Sequence, residues 1–127
     1  SKSMKVLMSI KPLYAEQILQ GKKKYEYRRR IFKRSDVSSL VIYESAPVSL
    51  VVGEVKICGI VFDSIDELWA KTNQHGGITF EAFEKYFKGC DSGYAIELNN
   101  PVLYNRPIPI SNIAGASGRP PQSFMYI

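Results

Sequence analysis

The sequence predicts a small mixed α+β domain, with five or six short strands curled into a closed sheet and about three flanking helices. Three observations carry this. Apolar or alternating runs recur at residues 4–10, 40–43, 50–62 and 93–98, and the chain closes on the apolar stretch 122–127. Between the runs lie segments with apolar residues at helical spacing, bounded by capping residues. The longest β-rich run, LVVGEVKICGIVF, is interrupted by Gly53 and Gly59. Glycines inside a strand mark the bulges and bends that let a sheet curl.

Each element has its own justification. MKVLMSI at residues 4–10 reads as a buried strand. Pro12 suits the first turn of a helix, and Gly21 suits its stop. Residues 23–29 alternate as a half-buried strand does. LVIY at residues 40–43 is a second buried strand, and Pro47 marks the turn before the long run. Ser64 is placed to cap a helix reaching about Lys71, with Glu67 completing a capping box, and Ile65, Leu68 and Trp69 form its apolar face. Thr79 caps a further helix, whose Phe80, Phe83 and Phe87 read as a core stripe, and Gly89 ends it. GYAIEL at residues 93–98 is another strand. Residues 101–109 are punctuated by proline and fit a sheet edge, where Leu103, Ile108 and Ile110 can pack. Residues 113–121 read as a Gly/Pro/Ser linker, and QSFMYI returns to the sheet.

With 127 residues and 45% apolar content, residues 4–127 are expected to form one domain with a proper core. Residues 1–3 resemble a cloning remnant. No apolar run approaches the ~18 residues of a membrane span, and no signal-peptide pattern is present. Cys58 and Cys90 lack CxxC spacing, and His75 is the only histidine, so neither a disulfide scaffold nor a zinc site is expected. Cys58, within an apolar run, reads as a buried small hydrophobe. A cytoplasmic protein with no metal, no cofactor and no membrane partner fits these features.

Charge is concentrated in residues 21–34, GKKKYEYRRRIFKR. Lys22, Lys23, Lys24, Arg28, Arg29, Arg30, Lys33 and Arg34 stand against Glu26 alone, so the stretch carries +7 while the whole chain carries +5. The remainder is therefore near −2, and the basicity is a patch that attracts phosphates. In a strand, Tyr25 and Tyr27 share one face, expected to be the core, while Lys24, Glu26 and Arg28 share the other. Glu26 and Arg28 can then pair directly. Lys23 has the wrong parity but can reach them from the turn after Gly21.

The spacing Gly21-x-Lys23-x-x-Glu26-x-Arg28 resembles the GxKxxExR signature of the ASCH domain, and the order of elements around it is similar to that of short single-domain members over residues 4–127. The resemblance implies a PUA-like β-barrel and an RNA-binding or nucleoside-binding cleft lined by the motif residues. Some members are similar to amidohydrolases of acetylated cytidine, and others act as ribonucleases. The amidohydrolase-like branch places its catalytic lysine at Lys23. It carries Thr where this chain has Glu26, and a loop glutamate where this chain has Gln74 beside His75.

The function expected is recognition of RNA or a modified nucleoside in a basic cleft. The alternative is a hydrolase of acylated cytidine nucleosides or single-stranded RNA, with Lys23 and Glu26 catalytic. Ligand contacts are expected from Gly21, Lys23, Glu26, Arg28 and Ser123. Arg28 offers a planar fork for a phosphate or base edge. Lys23, if its pKa is lowered by burial, can serve as base or nucleophile. Arg29, Arg30, Lys33 and Arg34 suit phosphate contacts at the rim. His75, the residue type that titrates near neutrality, and Gln74 are possible loop contributors.

Overall fold

A computed structural model describes residues 4–113, 115–116 and 118–127. Residues 1–3, and Ala114 and Ser117 of the expected linker, lie outside the described residues. Among the described residues there are six strands: β1 Met4–Ile10, β2 Tyr25–Arg28, β3 Val37–Glu44, β4 Leu50–Ser64, β5 Ser92–Ile108 and β6 Phe124–Tyr126. Three α-helices accompany them: α1 Pro12–Leu19, α2 Ile65–Thr72 and α3 Phe80–Tyr86. The strands form one sheet in the order β2-β5-β4-β3-β1-β6. β1 and β3 run parallel, and the other neighbours are antiparallel.

The strands and helices match the expected α+β class, but the ladder is not closed. β2 pairs only with β5, and β6 only with β1, so the sheet ends in two edges. Its curl comes from β4, where pairing with β5 slips at Val51/Gly53, Glu54/Lys56 and Ile57/Gly59. Extra residues on one strand bend it and increase its twist. At Gly53 a Cβ would stand 2.4 Å from the Val102 carbonyl oxygen and 2.7 Å from Leu19 Cδ2. A side chain there is incompatible with the bend.

Three apolar clusters follow. Inside the curl, Val6, Met8 and Ile10 meet Ala15, Ile18, Phe32, Leu40, Ile42, Val55, Ile96 and Leu98. On the opposite face of β5, Ala95 and Tyr27 pack under Leu68, Phe83 and Phe87 of the α2–α3 pair. Leu7, Val41, Tyr43 and Val51 form a third cluster with Ile108, Ile113 and Met125. β1 and β3 thus bury both faces, which is why they read as unbroken apolar runs and not as alternation.

Helix capping agrees in part. Ser64 accepts from the Glu67 N–H at 3.3 Å, and Thr79 from Ala82 N–H at 3.2 Å. The capping box is incomplete, because the Ser64 N–H donates to Asp63 Oδ1 and not to Glu67. β4 runs directly into α2, so its last acid is the nearer acceptor. Phe83 and Phe87 are buried, but Phe80 is 45% exposed and only edges onto Trp69. The proline-rich segment is an edge: β5 continues through Pro101, paired with β4 on one side after β2 has ended. Leu103 there is 65% exposed, while Ile108 and Ile110 pack inward. Cys58 is exposed, contrary to its apolar context. Burial alternates along β4 from Val55 onward, and Cys58 falls on its exposed side with Lys56, Ile60 and Phe62. Among the described residues no helix is long and apolar enough to cross a membrane.

Candidate functional site

The unclosed ladder leaves a seam between β2 and β1, and the motif side chains fill it. β6 covers β1 only at Val6, Leu7 and Met8. Ser9, the next residue, has its carbonyl taken by Arg28, whose Nη2 donates to it at 3.0 Å. Arg28 Nε donates to Glu26 Oε2 at 3.1 Å. A guanidinium therefore bridges where a backbone ladder would otherwise close the barrel. The expected i,i+2 pairing on one face of β2 is what makes this fork available, and both side chains are nearly buried, at 12% and 10% exposure.

Lys23 precedes β2, in the turn, and enters the same space from outside the pleat. Its position is fixed by backbone. Gly21 adopts φ +78° after α1, and the Lys22 and Lys23 N–H groups both donate to Gln17 O. Lys24 N–H donates to His75 O at 2.8 Å and tethers the loop after α2. That loop then presents the Gly76 carbonyl, which accepts from Lys23 Nζ. The ammonium also lies 5.0 Å from the Tyr14 ring centroid and 4.9 Å from that of Tyr27. Tyr27 is itself fixed: Thr72 Oγ1 donates to Leu68 O, so the Tyr27 hydroxyl donates to Thr72 Oγ1 at 2.7 Å. Gly76 is obligatory here, since a Cβ would stand 2.3 Å from the Tyr27 hydroxyl oxygen.

This enclosure has an electrostatic consequence. Lys23 is 3% exposed. Burial lowers its pKa to about 8, and nearby Glu26 offsets part of that effect. A lysine in that range exchanges its proton near neutral pH, as acid–base groups must. One carbonyl and two ring faces stabilise the ammonium without removing its proton.

The seam opens into a cleft of about 630 Å³ that Lys23, Glu26, Tyr27, Arg28 and Arg29 line together with Ser9, Ile10, Lys11 and Tyr14. The opposite wall is Ile78 with Ala82, Lys85 and Tyr86 of α3. Arg29 lies 4.8 Å over the Tyr86 ring. Lys11, Lys23, Arg28, Arg29 and Lys85 against Glu26 give the lining five positive groups and one negative, a balance of +4. The volume falls within the range of small-ligand sites.

Not every expected residue converges on it. Gly21, Lys24, Tyr25 and His75 line a second cavity of about 460 Å³, with Cys58 and Glu97, and Lys23 stands between the two. Tyr25 is half-buried and packs against the cluster in which Tyr27 is buried, so both tyrosines face the core as expected. Gln74 and Ser123 are exposed and line neither cavity. Ser123 lies in the bend before β6, and β6 lies beside β1, not beside the motif strand. Arg30 and Lys33 are exposed, and the Lys33 N–H donates to the Tyr126 hydroxyl. Arg34 is held by Asp36 at 2.8 Å. The sequence reading missed Tyr14, Gly76, Lys85 and Tyr86. The Gly76-Gly77 pair was the available signal, because two glycines let a loop descend onto neighbouring side chains.

The fold and site define a curled-sheet α+β domain with a buried Lys–Glu–Arg group at the seam of its sheet. The model of the ASCH domain matches residues 8–105, and the chain belongs to that family. An ASCH domain-containing ribonuclease from Zymomonas mobilis is 29% identical over 125 residues, covering 95% of this chain and 82% of the relative. The crystal structure of ASCH from Zymomonas mobilis has a TM-score of 0.83 at 27% identity, over 97% of this chain and 87% of that one. The crystal structure of its serine-to-alanine variant gives 0.82 at 26% identity, with the same coverage. The chain is also 21% identical over 122 residues to large ribosomal subunit protein uL22 of Ureaplasma parvum, spanning 96% of itself and 39% of that protein.

Proposed function

We propose that this protein binds single-stranded RNA through the seam cleft and cleaves the bound strand, with Lys23 as the proton-transfer group. The observation that carries the reading is the co-burial of Lys23 and Glu26, at 3% and 7% exposure, on the floor of an open cationic cleft. Exposed charges of this kind would be a solvated face. Buried ones need a reason, and an anionic ligand supplies it. The ribonuclease named among the relatives supports RNA as that ligand. Arg28 and Arg29 hold phosphate, and Glu26 keeps the Arg28 fork oriented. Neutral Lys23 takes the proton of the ribose 2′-hydroxyl as that oxygen bonds to the adjacent phosphorus; the P–O5′ bond breaks, leaving a 2′,3′-cyclic phosphate and a 5′-oxygen that takes up a proton from solvent.

Hydrolysis of acylated cytidine is the weaker reading. The loop that reaches Lys23 runs Thr72-Asn73-Gln74-His75-Gly76-Gly77-Ile78 and offers no carboxylate. The reading places the protein in the cytoplasm.

Salt dependence tests the binding half. Affinity for a short single-stranded RNA is expected to fall log-linearly with salt, and Arg29→Gln should flatten the slope by about 0.7, the loss of one phosphate contact. Salt-independent binding, or none, contradicts the reading.

A further inference from the structure

We infer that Phe62 and Tyr94 form a stacking platform for a second base of the same single-stranded RNA, beside the seam cleft. This extends the RNA reading above and rests on it. Arg28 pairs with Tyr94 across β2 and β5, and Tyr94 pairs with Phe62 across β5 and β4. Directly opposed residues in antiparallel strands stand on the same face, so the three side chains form one cross-strand row leading outward from the cleft. The adjoining row, Glu26, Ile96 and Ile60, runs beside it.

At the outer end of the row, apolar side chains face solvent. Phe62 is 58% exposed and Ile60 43% exposed. The Phe62 and Tyr94 rings lie 4.7 Å apart, with their planes tilted by 40°. The pair stabilises β4 against β5 by at most about 1 kcal/mol, a gain that a buried pair would give equally. Stability does not require an aromatic ring facing solvent. Recognition of single strands does: cations track the phosphates while aromatic faces stack successive bases whatever their identity. Here the cations of the cleft and the rings lie along one row, about two strand spacings (~10 Å) from end to end. A strand whose phosphate is held at Arg28 reaches the Phe62–Tyr94 face with its neighbouring base. That continuity with a cationic cleft distinguishes the surface from a protein-docking patch, whose centre is depleted of charge.

The test compares a fluorescent 2′-O-methyl hexauridylate, which lacks the hydroxyl needed for cleavage, with uridine 5′-monophosphate as competitor, by anisotropy, with melting curves confirming the fold of each variant. Phe62→Ala is expected to weaken hexamer binding roughly tenfold, the effect of one lost stacking contact. Competition by the mononucleotide should stay within about twofold of the parent, because one nucleotide does not reach the platform. Phe62→Trp should retain hexamer affinity. Tyr94→Ala should resemble Phe62→Ala. If the parent binds the hexamer and Phe62→Ala binds it equally well, the platform is overturned while the RNA reading stands. An equal loss for hexamer and mononucleotide also overturns it, since Phe62 would then act through the cleft. If the parent binds neither, both fall. If Phe62→Ala leaves RNA affinity unchanged but dissociates an oligomer in sedimentation, the face is a protein contact and the inference is wrong.

Discussion

Replacing Lys23 with methionine is expected to cut RNA turnover by ~10²–10⁴-fold, the usual contribution of a positioned acid–base group. The protein should nonetheless remain folded and become more stable at neutral pH. Desolvation holds the Lys23 pKa at about 8, against 10.5 for a free lysine, which corresponds to about 3 kcal/mol against the charged native form. Methionine removes that penalty but leaves the Gly76 carbonyl without its side-chain donor, which costs about 1–2 kcal/mol. The net gain is about 1–2 kcal/mol, or about 4–8 °C in Tm. The sign of the pH dependence follows from linkage. Between pH 8 and 10.5 the unfolded chain holds a proton that native Lys23 has released, so parent stability rises with pH in that window. The advantage of the variant is therefore full below pH 8, is cancelled at about pH 9 and reverses toward pH 10.5, where only the lost Gly76 hydrogen bond remains. Activity of the parent should climb with pH and level off above about 8, as the neutral amine becomes the dominant form. Turnover by Lys23→Met at the parent rate would remove Lys23 from the chemistry. A stability difference that does not change between pH 7 and 10 would contradict its burial as a charged group.

The second large effect concerns the seam itself. Arg28→Ala leaves Glu26 as a nearly buried carboxylate without its ion-pair partner and leaves the Ser9 carbonyl without the Arg28 donor. Breaking such a pair from one side costs about 3 kcal/mol, equivalent to a Tm lower by about 10 °C. Removing both charges in Glu26→Gln/Arg28→Met should recover most of that stability, because a buried ion pair is close to neutral against isosteric uncharged side chains. RNA affinity should stay lost in the double variant. Thermal melts and anisotropy on the same samples separate the two effects. A melting temperature for Arg28→Ala within about 1 °C of the parent would mean that the pair is a solvated surface bridge.

Much of this site was legible in the sequence because the strand period is two. Glu26 and Arg28 had to share a face, and the structure pairs them. The Gly21 stop was readable from glycine chemistry, as was the need for Lys23 to arrive from a turn. Closure of the barrel was not readable, because local pattern does not reveal whether two distant edges meet. In this chain the two edges approach at Ser9 and Arg28, joined by a guanidinium and not by a ladder. Tyr14 and the α3 wall were missed for the same reason: α1 and α3 are distant in sequence and converge only through the curl. Cys58 misled because an apolar context suggests burial, while the strand alternation places it on the exposed face with Lys56 and Ile60. Ser123 and Gln74 were expected from family resemblance, and His75 from histidine chemistry in a Gly-flanked loop as well, with no residue pattern tying any of them to the motif strand. Of these His75 lines the second cavity, on the far side of Lys23, and the other two line neither.

The most direct test of the central claim is residue-resolved mapping of bound RNA by two-dimensional ¹H–¹⁵N NMR, titrating with non-cleavable 2′-O-methyl hexauridylate. Occupation of the seam predicts the largest shifts at the amides of Lys23, Glu26, Arg28, Tyr14 and Lys85, which line the cleft from both walls. Shifts confined to Gly21, Tyr25, His75 and Asn99, the lining of the second cavity, would contradict it, as would a spectrum that RNA leaves unchanged.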